Sequence, residues 1–323
     1  MTLVLTRSDV EKLISFPSTI AAVRAAHISL ATGRSAVPVA ATMPEPGGTS
    51  VFVGMAAVSR PDRLASVKLL ADMPSNAALG LPTQRSTILA VSTDDGSCAA
   101  MIDGAIVTRV RTAAASAVAT DALARTDSRI LGLVGAGQLA RAHVEALLSV
   151  RTFDRILVWS RTERTARLLA DEVGAEVMTT AEEVFGAADV VCTLTPTRDP
   201  HVRGAWLRPG QHVNVVGAPP RPDHREVDSE AIRRARVVID ARATSWHDSG
   251  DILVPLAEGA IPREHVSDEL GAVLAGEVPG RTGADQITLF NSVGVGLQDL
   301  AVARLLVDEA RRTGIGLDVD LTR

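Results

Sequence analysis

The sequence contains only two cysteines, Cys98 and Cys192, among its 323 residues. They stand far apart and neither lies in a C-x-x-C pattern, so a disulfide framework and a zinc site are both unexpected. We expect both to be buried thiols. No metal site is predicted.

Long apolar runs and clustered basic residues are also missing. No apolar run approaches the ~18 residues that span a bilayer, and charges come too early in the N-terminal stretch for a signal peptide. The net charge of −5 and the pI near 5.8 argue against a nucleic-acid or anionic-membrane partner. We expect a cytoplasmic protein, and its length leaves room for about two domains.

What the sequence does contain is a glycine-rich turn between the apolar run ILGLV and a helical pattern. Gly135 permits a tight turn, Gly137 lets the backbone approach a pyrophosphate, and Ala140 lets the helix pack closely on the strand. The N–H groups at the helix start, at Gln138 and Leu139, would face the anion. The turn therefore predicts a dinucleotide site.

Short apolar runs alternate with helical patterns after this turn. Strands are predicted at residues 156–160, 175–178, 189–194, 212–217, 236–241 and 286–293. Such alternation indicates a doubly wound parallel sheet with helices on both faces.

The first ~115 residues have a different pattern, in which helical segments precede strand-like runs separated by Pro and Gly turns. The strand-like runs cover residues 50–58, 64–71, 86–92 and 98–108, and an Ala-rich helix is predicted over 110–125. This part is predicted to be a mixed α+β domain.

Several motifs then occur in a fixed order, among them MIDGAIVTRVRTAAASA, LVGAGQLARAH, VWSRT and TLFNSVGVGLQDLAVA. Over nearly its whole length the chain resembles the ornithine cyclodeaminase and mu-crystallin family. The resemblance implies an α/β fold in which a Rossmann NAD(P)-binding domain, residues 116–303, is inserted in a substrate and dimerisation domain, residues 1–115 plus 304–323. It also implies a homodimer and hydride transfer between a nicotinamide and an amino or imino acid.

By this resemblance Lys68 and Arg111 hold the substrate carboxylate beside the nicotinamide. Lys68 lies in the apolar run LASVKLLA, where a buried ammonium is costly unless an anion meets it. Arg111 offers a planar fork that suits a carboxylate. The alternative is a solvated lysine on an edge strand and a surface arginine.

The other residues that resemble the family's cofactor contacts lie at predicted strand ends and near the nicotinamide. They are Asn76, Thr112, Thr193, Leu194, Thr195, Val215, Gly217, Ser292 and Val293. For Asn76 and Thr112 the alternative is a role as turn or helix-cap residues.

The end of the second predicted Rossmann strand bears on the choice of cofactor. An acid there would bond the ribose 2′-hydroxyl, whereas an arginine accommodates a 2′-phosphate. Trp159 is followed by Ser160, Arg161 and Thr162, with no acid. This favours NADP(H), with NAD(H) as the alternative, unless Arg161 is only a solvent-facing residue at a helix start.

The chain departs from the family at three positions, Pro219, Ala40 and Asn291. Pro219 stands where cyclodeaminases carry a catalytic aspartate, and the nearest acid, Asp223, fits a turn. Ala40 replaces the arginine of a P-x-R motif that supports the substrate carboxylate. Asn291 stands where many relatives carry lysine, and His247 is a weak candidate for proton transfer, with a surface histidine as the alternative.

These observations favour an NAD(P)H-dependent imine or ketimine reductase, or the reverse amino-acid oxidation. A protonated imine needs no strong acid, because it already carries the charge that hydride neutralises. The alternatives are a cyclodeaminase that releases ammonia from ornithine or lysine, and a non-catalytic NADPH-dependent binding protein of the mu-crystallin type.

Overall fold

The computed structural model describes residues 1–321, which form two compact units. One, the split unit, combines Met1–Arg111 with the residues from Val295 onward, and the other, the inserted unit, is Thr112–Gly294. The sequence analysis set the domain boundaries after residues 115 and 303, whereas the compact units meet after Arg111 and Gly294. The second boundary lies earlier in the chain because one continuous helix begins at Gly296 and belongs wholly to the split unit.

The split unit is built on one eight-stranded sheet. Its strands are β1 (Thr2–Leu5), β2 (Ser35–Ala36), β3 (Ala41–Pro44), β4 (Val51–Ser59), β5 (Leu64–Asp72), β6 (Gln84–Ser92), β7 (Cys98–Asp103) and β16 (Leu317–Val319). They follow the order β16-β1-β7-β6-β5-β4-β2, and β3 also pairs with β4. Only β1 and β7 pair in parallel and the other pairs are antiparallel, so the sheet is mixed. This agrees with the mixed α+β domain that the sequence predicts.

The helices of this unit come before and after the main strands. They are α1 (Arg7–Leu13), α2 (Phe16–Ala31), the first part of α3 (Gly104–Leu123) and α11 (Gly296–Thr313), with a 3₁₀ helix at Pro74–Leu79. Within residues 1–321 no single helix is long and apolar enough to cross a membrane, and α1 with α2 meets that length and composition only as a pair bent by 92°.

The strand predicted over residues 98–108 is wrong in its second half. β7 ends at Asp103, whose Oδ1 accepts a hydrogen bond of 3.2 Å from the backbone N–H of Ala105 and so starts α3. A Cβ on Gly104 would lie 2.5 Å from Ser86 Oγ, so any larger residue at this turn would displace the Ser86 side chain. Cys98, expected to be buried, is half-buried at the start of β7, whereas Cys192 is buried.

The two faces of the split-unit sheet differ in exposure. On β5, Ser66 and Lys68 are buried, while Val67 and Leu69 between and after them are exposed. Helix α11 packs on the covered face, and a Cβ on Gly296 would lie 2.5 Å from the Ala56 carbonyl oxygen. The missing side chain therefore lets the start of α11 come close to the sheet, on the side that holds Lys68.

The inserted unit is built on a second sheet of eight strands, all parallel. Its strands are β8 (Ile130–Val134), β9 (Arg155–Trp159), β10 (Glu176–Val177), β11 (Val190–Thr193), β12 (His212–Val215), β13 (Arg236–Ile239), β14 (Asp268–Glu269) and β15 (Thr288–Asn291). Their order is β10-β9-β8-β11-β12-β15-β13-β14, so the winding reverses between β8 and β11.

Helices connect these strands. They are the rest of α3, α4 (Gln138–Leu148), α5 (Glu163–Val173), α6 (Ala181–Ala187), α7 (Ser229–Arg234), α8 (Arg242–Asp248), α9 (Gly250–Ala257) and α10 (Leu270–Leu274), with 3₁₀ helices at Gly204–Trp206 and Arg263–Val266. The central strands are buried over nearly their whole length, as a parallel sheet covered on both faces requires. The doubly wound α/β class is therefore confirmed.

Candidate active site

The glycine-rich turn joins β8 to α4 at the reversal point of the parallel sheet. Gly135 has a φ of +119°, and a Cβ there would lie 2.9 Å from the Leu194 carbonyl oxygen. Gly137 is the N-cap residue of α4, and because it has no side chain, the first N–H groups of the helix have no side-chain cap. Ala140 is fully buried. The N–H groups of Gln138 and Leu139 lie in the first turn of α4, where an anion is stabilised.

The carboxyl ends of β11 and β12 are held together at the same edge by a residue that sequence reasoning missed, Glu226. Its Oε1 accepts hydrogen bonds from the backbone N–H (2.7 Å) and the hydroxyl (2.8 Å) of Thr195. Its Oε2 accepts from the hydroxyl of Thr193 (2.8 Å) and the N–H of Gly217 (2.7 Å). A Cβ on Gly217 would lie 2.0 Å from the Thr195 nitrogen, so only glycine fits between these strand ends.

The hydroxyls of Thr193 and Thr195 are therefore bound by an internal carboxylate. Leu194 and Val215 are buried beside them, and the predicted cofactor surface consists mainly of backbone at these strand ends. Since a dinucleotide needs close backbone approach, the glycines and the start of α4 fit such a group.

A second buried acid, Asp251, supports the first. Its Oδ1 accepts hydrogen bonds from the backbone N–H groups of Glu226 (2.9 Å) and Val227 (3.1 Å). Burial and the nearby charge of Glu226 raise the pKa of Asp251 to about 7. Asn291, the residue that replaces a lysine of many relatives, lies next to it: its Nδ2 is 3.5 Å from Asp251 Oδ2, and its Oδ1 accepts from Ser249 at 2.8 Å.

A third buried acid, Asp240 at the end of β13, fixes the turn after β15. Its Oδ2 accepts hydrogen bonds from the Ser292 hydroxyl (2.8 Å) and the Gly294 N–H (2.7 Å). Burial raises the pKa of Asp240. Ser292 is thus held from within the unit, and Val293, half-buried, follows it.

The end of β9 carries the residues predicted to choose the cofactor. The Ser160 hydroxyl lies 3.0 Å from that of Thr165, Thr162 is the residue before α5, and Arg161 is exposed. Glu163, the first acid after this turn, forms an ion pair with Arg167 one helical turn away. Residues 159–162 themselves include no acid, and the nearest one, Glu163, is occupied by its ion pair with Arg167.

In the split unit, Lys68 and Arg111 come together as predicted, but they share a carboxylate of the chain itself. Asp299 Oδ2 is 2.7 Å from Lys68 Nζ, and Asp299 Oδ1 is 3.1 Å from Arg111 Nε. The side chains of Lys68 and Asp299 are each 1% exposed. The charge of buried Lys68 is therefore met by a carboxylate of α11, an internal anion that the sequence analysis did not name.

Further polar groups surround this cluster. Lys68 Nζ donates to the Thr108 hydroxyl at 3.4 Å, and Arg111 Nη1 donates to Gln298 Oε1 at 2.7 Å. The Gln298 amide nitrogen lies 3.1 Å from Nε2 of buried His27. Burial, followed by the charge of Arg111, lowers the pKa of Lys68 to about 8.

The remaining predicted positions take ordinary structural roles or stay outside this cluster. Asn76 is buried and donates from Nδ2 to the Pro82 carbonyl (2.9 Å), which closes the loop between β5 and β6. Thr112, half-buried in α3, follows Arg111. Ala40 lies in the extended stretch before β3.

The stretch around Pro219 offers no carboxylate in place of the family's aspartate. Asp223 forms an ion pair with Arg198 and accepts from His224 at 2.8 Å, in an exposed turn. His247, 63% exposed in its side chain, lies 2.7 Å from Asp248 at the end of α8. Neither residue contacts Glu226, Asp240 or Asp251 in these bonds.

Comparison with known proteins gives a consistent result over the whole chain. The family model "Ornithine cyclodeaminase/mu-crystallin family" matches residues 1–314. Delta(1)-pyrroline-2-carboxylate reductase of Bacillus cereus is 30% identical over 321 residues, 97% of this chain and 98% of that protein.

Two solved structures are similar throughout. Thermococcus litoralis Delta(1)-pyrroline-2-carboxylate reductase in complex with NADH and L-proline is 34% identical, with a TM-score of 0.94 over 98% of this chain and 100% of that one. An archaeal alanine dehydrogenase dimer with bound NAD is 31% identical, with a TM-score of 0.94 over 99% of each chain.

Proposed function

Because this chain belongs to the ornithine cyclodeaminase/mu-crystallin family, we propose that its substrate is a small cyclic ketimine that carries one carboxylate. The chain is an enzyme, an NAD(P)-dependent oxidoreductase that acts on C–N and C=N bonds. The observation that carries the choice of substrate is the buried cluster of Lys68, Arg111 and Asp299.

The charges of this cluster suit one carboxylate. Two cations share one internal anion, so the cluster keeps one positive charge in a place where an unmatched charge is costly. A single substrate carboxylate neutralises it, and the fork of Arg111 can also orient that group. A dicarboxylic imine would bring a second negative charge with no partner among these residues.

Each unit contributes a separate part of the chemistry. When bound, the reduced nicotinamide supplies a hydride to the imine carbon. Lys68 and Arg111 hold the carboxylate attached to that carbon, and so fix its orientation, which is the main catalytic contribution of these residues. Because Lys68 is 1% exposed, the substrate reaches it only when the surrounding side chains move aside.

The two other interpretations lack support from the residues. A cyclodeaminase needs a base to activate water, and Pro219 cannot move a proton. The non-catalytic binding protein is not favoured because the relatives over the whole chain are named as reductases.

The test is a screen of cyclic ketimine carboxylates of two ring sizes, 2-oxo acids with ammonia, and ornithine and lysine, following absorbance of the reduced nicotinamide. We expect turnover with the cyclic ketimines. Ammonia release from ornithine or lysine would favour the cyclodeaminase, and tight cofactor binding without any turnover would favour the binding protein.

For the cofactor we propose a preference for NADP(H). The support is exposed Arg161 and the absence of an acid among residues 159–162, whereas the two solved relatives contain NADH or NAD. Arg161→Ala should weaken NADPH binding and leave NADH binding nearly unchanged. Arg167→Ala is the control, because Arg167 lies within α5 and is paired with Glu163. Equal affinity of the parent protein for both cofactors would refute this proposal.

We also propose a homodimer formed through the uncovered face of the split-unit sheet. Five apolar side chains on β4 to β7 are 36–47% exposed there: Val58, Val67, Leu69, Leu89 and Met101. Val67, Leu89 and Met101 are direct neighbours across three strands, so they form a continuous apolar row, typical of a subunit interface.

Light scattering should give twice the chain mass of 33.8 kDa. Leu89→Glu should reduce it to one chain, while Leu168→Glu, at an exposed apolar position on α5, should not. A monomeric parent protein at micromolar concentration would refute the dimer.

A further inference from the structure

Helix α11 begins in a position that only a glycine allows. A Cβ on Gly296 would lie 2.5 Å from the carbonyl oxygen of Ala56 on β4. This close approach brings the first turn of α11, with Gln298 and Asp299, against the covered face of the sheet. The first turn of a helix is also the place where a carboxylate is stabilised by the helix dipole.

Asp299 divides its two oxygens between the two cations. Oδ2 is 2.7 Å from Lys68 Nζ on β5, and Oδ1 is 3.1 Å from Arg111 Nε on α3. Gln298, the preceding residue, accepts from Arg111 Nη1 at 2.7 Å. Two neighbouring residues of α11 therefore fix the fork of Arg111, and one of them also fixes the lysine.

The charges that face Lys68 can be named element by element. Arg111 on α3 repels it and Asp299 on α11 attracts it, while Thr108 on α3 offers a neutral hydroxyl. Its neighbours across the sheet, Met55 on β4 and Ile88 on β6, carry no charge. Asp299 is therefore the anion that allows two buried cations to lie side by side.

We infer that Asp299 is a positioning residue that sets the net charge of the substrate-carboxylate site to +1 and thereby makes the enzyme select monocarboxylic over dicarboxylic imines. This inference rests on the proposed function, since it assumes that Lys68 and Arg111 receive the substrate carboxylate. Asp299 itself does not contact the substrate. It acts through the two cations that it holds.

The charge of Asp299 also determines the pH range of binding. Burial and Arg111 lower the pKa of Lys68 to about 8, and Asp299 opposes that shift. Substrate affinity should therefore fall as the pH rises through about 8, because Lys68 loses its proton. Without the aspartate charge, the same loss should occur at lower pH.

The kinetic test compares the parent with Asp299→Asn, which keeps the shape and removes the charge, and with Asp299→Glu, which keeps the charge. At a pH about two units below the shifted alkaline limb, where Lys68 keeps its proton, the site of Asp299→Asn carries two positive charges. There we expect kcat/KM for a dicarboxylic imine relative to a monocarboxylic one to rise on the order of tenfold. The alkaline limb of kcat/KM should move about one pH unit or more towards acid.

Asp299→Glu should retain the parental preference, even if its rate is lower. The control is Asp308→Asn, further along the same helix, where the side chain is exposed and paired with Arg304. If Asp299→Asn lowers kcat/KM equally for both substrates and leaves the alkaline limb in place, Asp299 is only a structural residue and the inference is refuted.

A stability comparison tests the charge balance without any substrate. Asp299→Asn leaves two buried cations with no anion, whereas Lys68→Met combined with Asp299→Asn leaves only Arg111, still bonded to Gln298. The double variant should therefore melt at a higher temperature than Asp299→Asn alone, and fold even where the single variant does not.

If the double variant is no more stable than the single one, the inference is refuted. The two proposals fail separately. A parent protein that reduces no ketimine refutes the proposed function, and the melting temperatures still decide whether Asp299 balances the two cations.

Discussion

The substitution Glu226→Gln tests whether one buried carboxylate organises the predicted cofactor-binding edge of the inserted unit. Glu226 is fully buried and accepts four hydrogen bonds, two on each oxygen, from Thr193, Thr195 and Gly217. Whichever way a glutamine amide is turned, its NH₂ group faces a backbone N–H, either that of Thr195 or that of Gly217. Unlike a hydroxyl, a backbone N–H cannot rotate to accept.

The magnitude follows from these bonds. One buried N–H without an acceptor costs about 1–3 kcal/mol, and each remaining bond loses about 1 kcal/mol when the acceptor becomes neutral. Burial raises the pKa of Glu226, so the neutral side chain recovers part of this loss. We expect the free energy of unfolding to fall by about 3 kcal/mol, which corresponds to about 6–12 °C in melting temperature.

The assay is thermal unfolding together with fluorescence titration of NADPH. The strand ends that Glu226 joins carry the predicted cofactor contacts, so the Kd should rise about tenfold, equivalent to about 1.4 kcal/mol. Glu230→Gln is the control, since the side chain of Glu230, at the start of α7, is 41% exposed and pairs with Arg233. A Glu226→Gln protein that melts within about 1 °C of the parent and binds NADPH equally well would refute this reasoning.

Three further substitutions have defined outcomes. Lys68→Met should lower turnover several hundred-fold or more, on the order of 3–5 kcal/mol, with unchanged cofactor affinity; near-parental kcat/KM would contradict its role. The pKa of Asp251 is raised from 3.8 to about 7, so its protonated form stabilises the fold at low pH and this contribution disappears as pH rises through about 7. The melting temperature of Asp251→Asn should therefore rise relative to that of the parent as the pH increases from 5 to 8. If calorimetry gives the same difference in melting temperature at both pH values, this assignment is contradicted. Burial lowers the pKa of His143 from 6.5 to about 4, so the parent should lose stability as the pH falls through this range. His143→Gln should lose less stability over the same range. Parallel acid-unfolding curves of the two proteins would show that His143 does not titrate in this way.

The sequence predicted the inserted unit well because its strands and its turn are encoded locally. Buried parallel strands appear as short apolar runs, and the structure places strands within each of the six predicted stretches. The turn at Gly135 could be recognised because its φ of +119° and its contact with the Leu194 backbone both require a glycine. The position of β15 between β12 and β13 could not be predicted, since no local pattern records which strand becomes a neighbour.

The buried acids were missed for a related reason. Glu226 follows half-buried Pro219 and exposed Asp223 in an otherwise polar stretch, and Asp299 lies in a helix that also carries exposed charges. Their local sequence does not differ from that of surface acids. Only the tertiary structure brings them to buried donors, and the one available signal was Lys68 itself, whose apolar strand required an anion. That anion turned out to be Asp299, from the far end of the chain.

The two units surround their buried carboxylates with opposite kinds of partner, and this difference suits the two anions of the proposed function, the cofactor phosphates and the substrate carboxylate. Glu226 is surrounded by neutral N–H and hydroxyl donors, which spread its charge over four bonds and leave the start of α4 available for a pyrophosphate. Asp299 is surrounded by two cations, so the positive charge exceeds the negative by one. If Glu226 were paired with a cation, that cation would compete for the phosphates. If Asp299 were held by neutral donors, Lys68 and Arg111 would repel each other with no anion between them. The partners around each acid, neutral in the inserted unit and cationic in the split unit, therefore support the proposal that the inserted unit binds the cofactor phosphates and the split unit binds the substrate carboxylate.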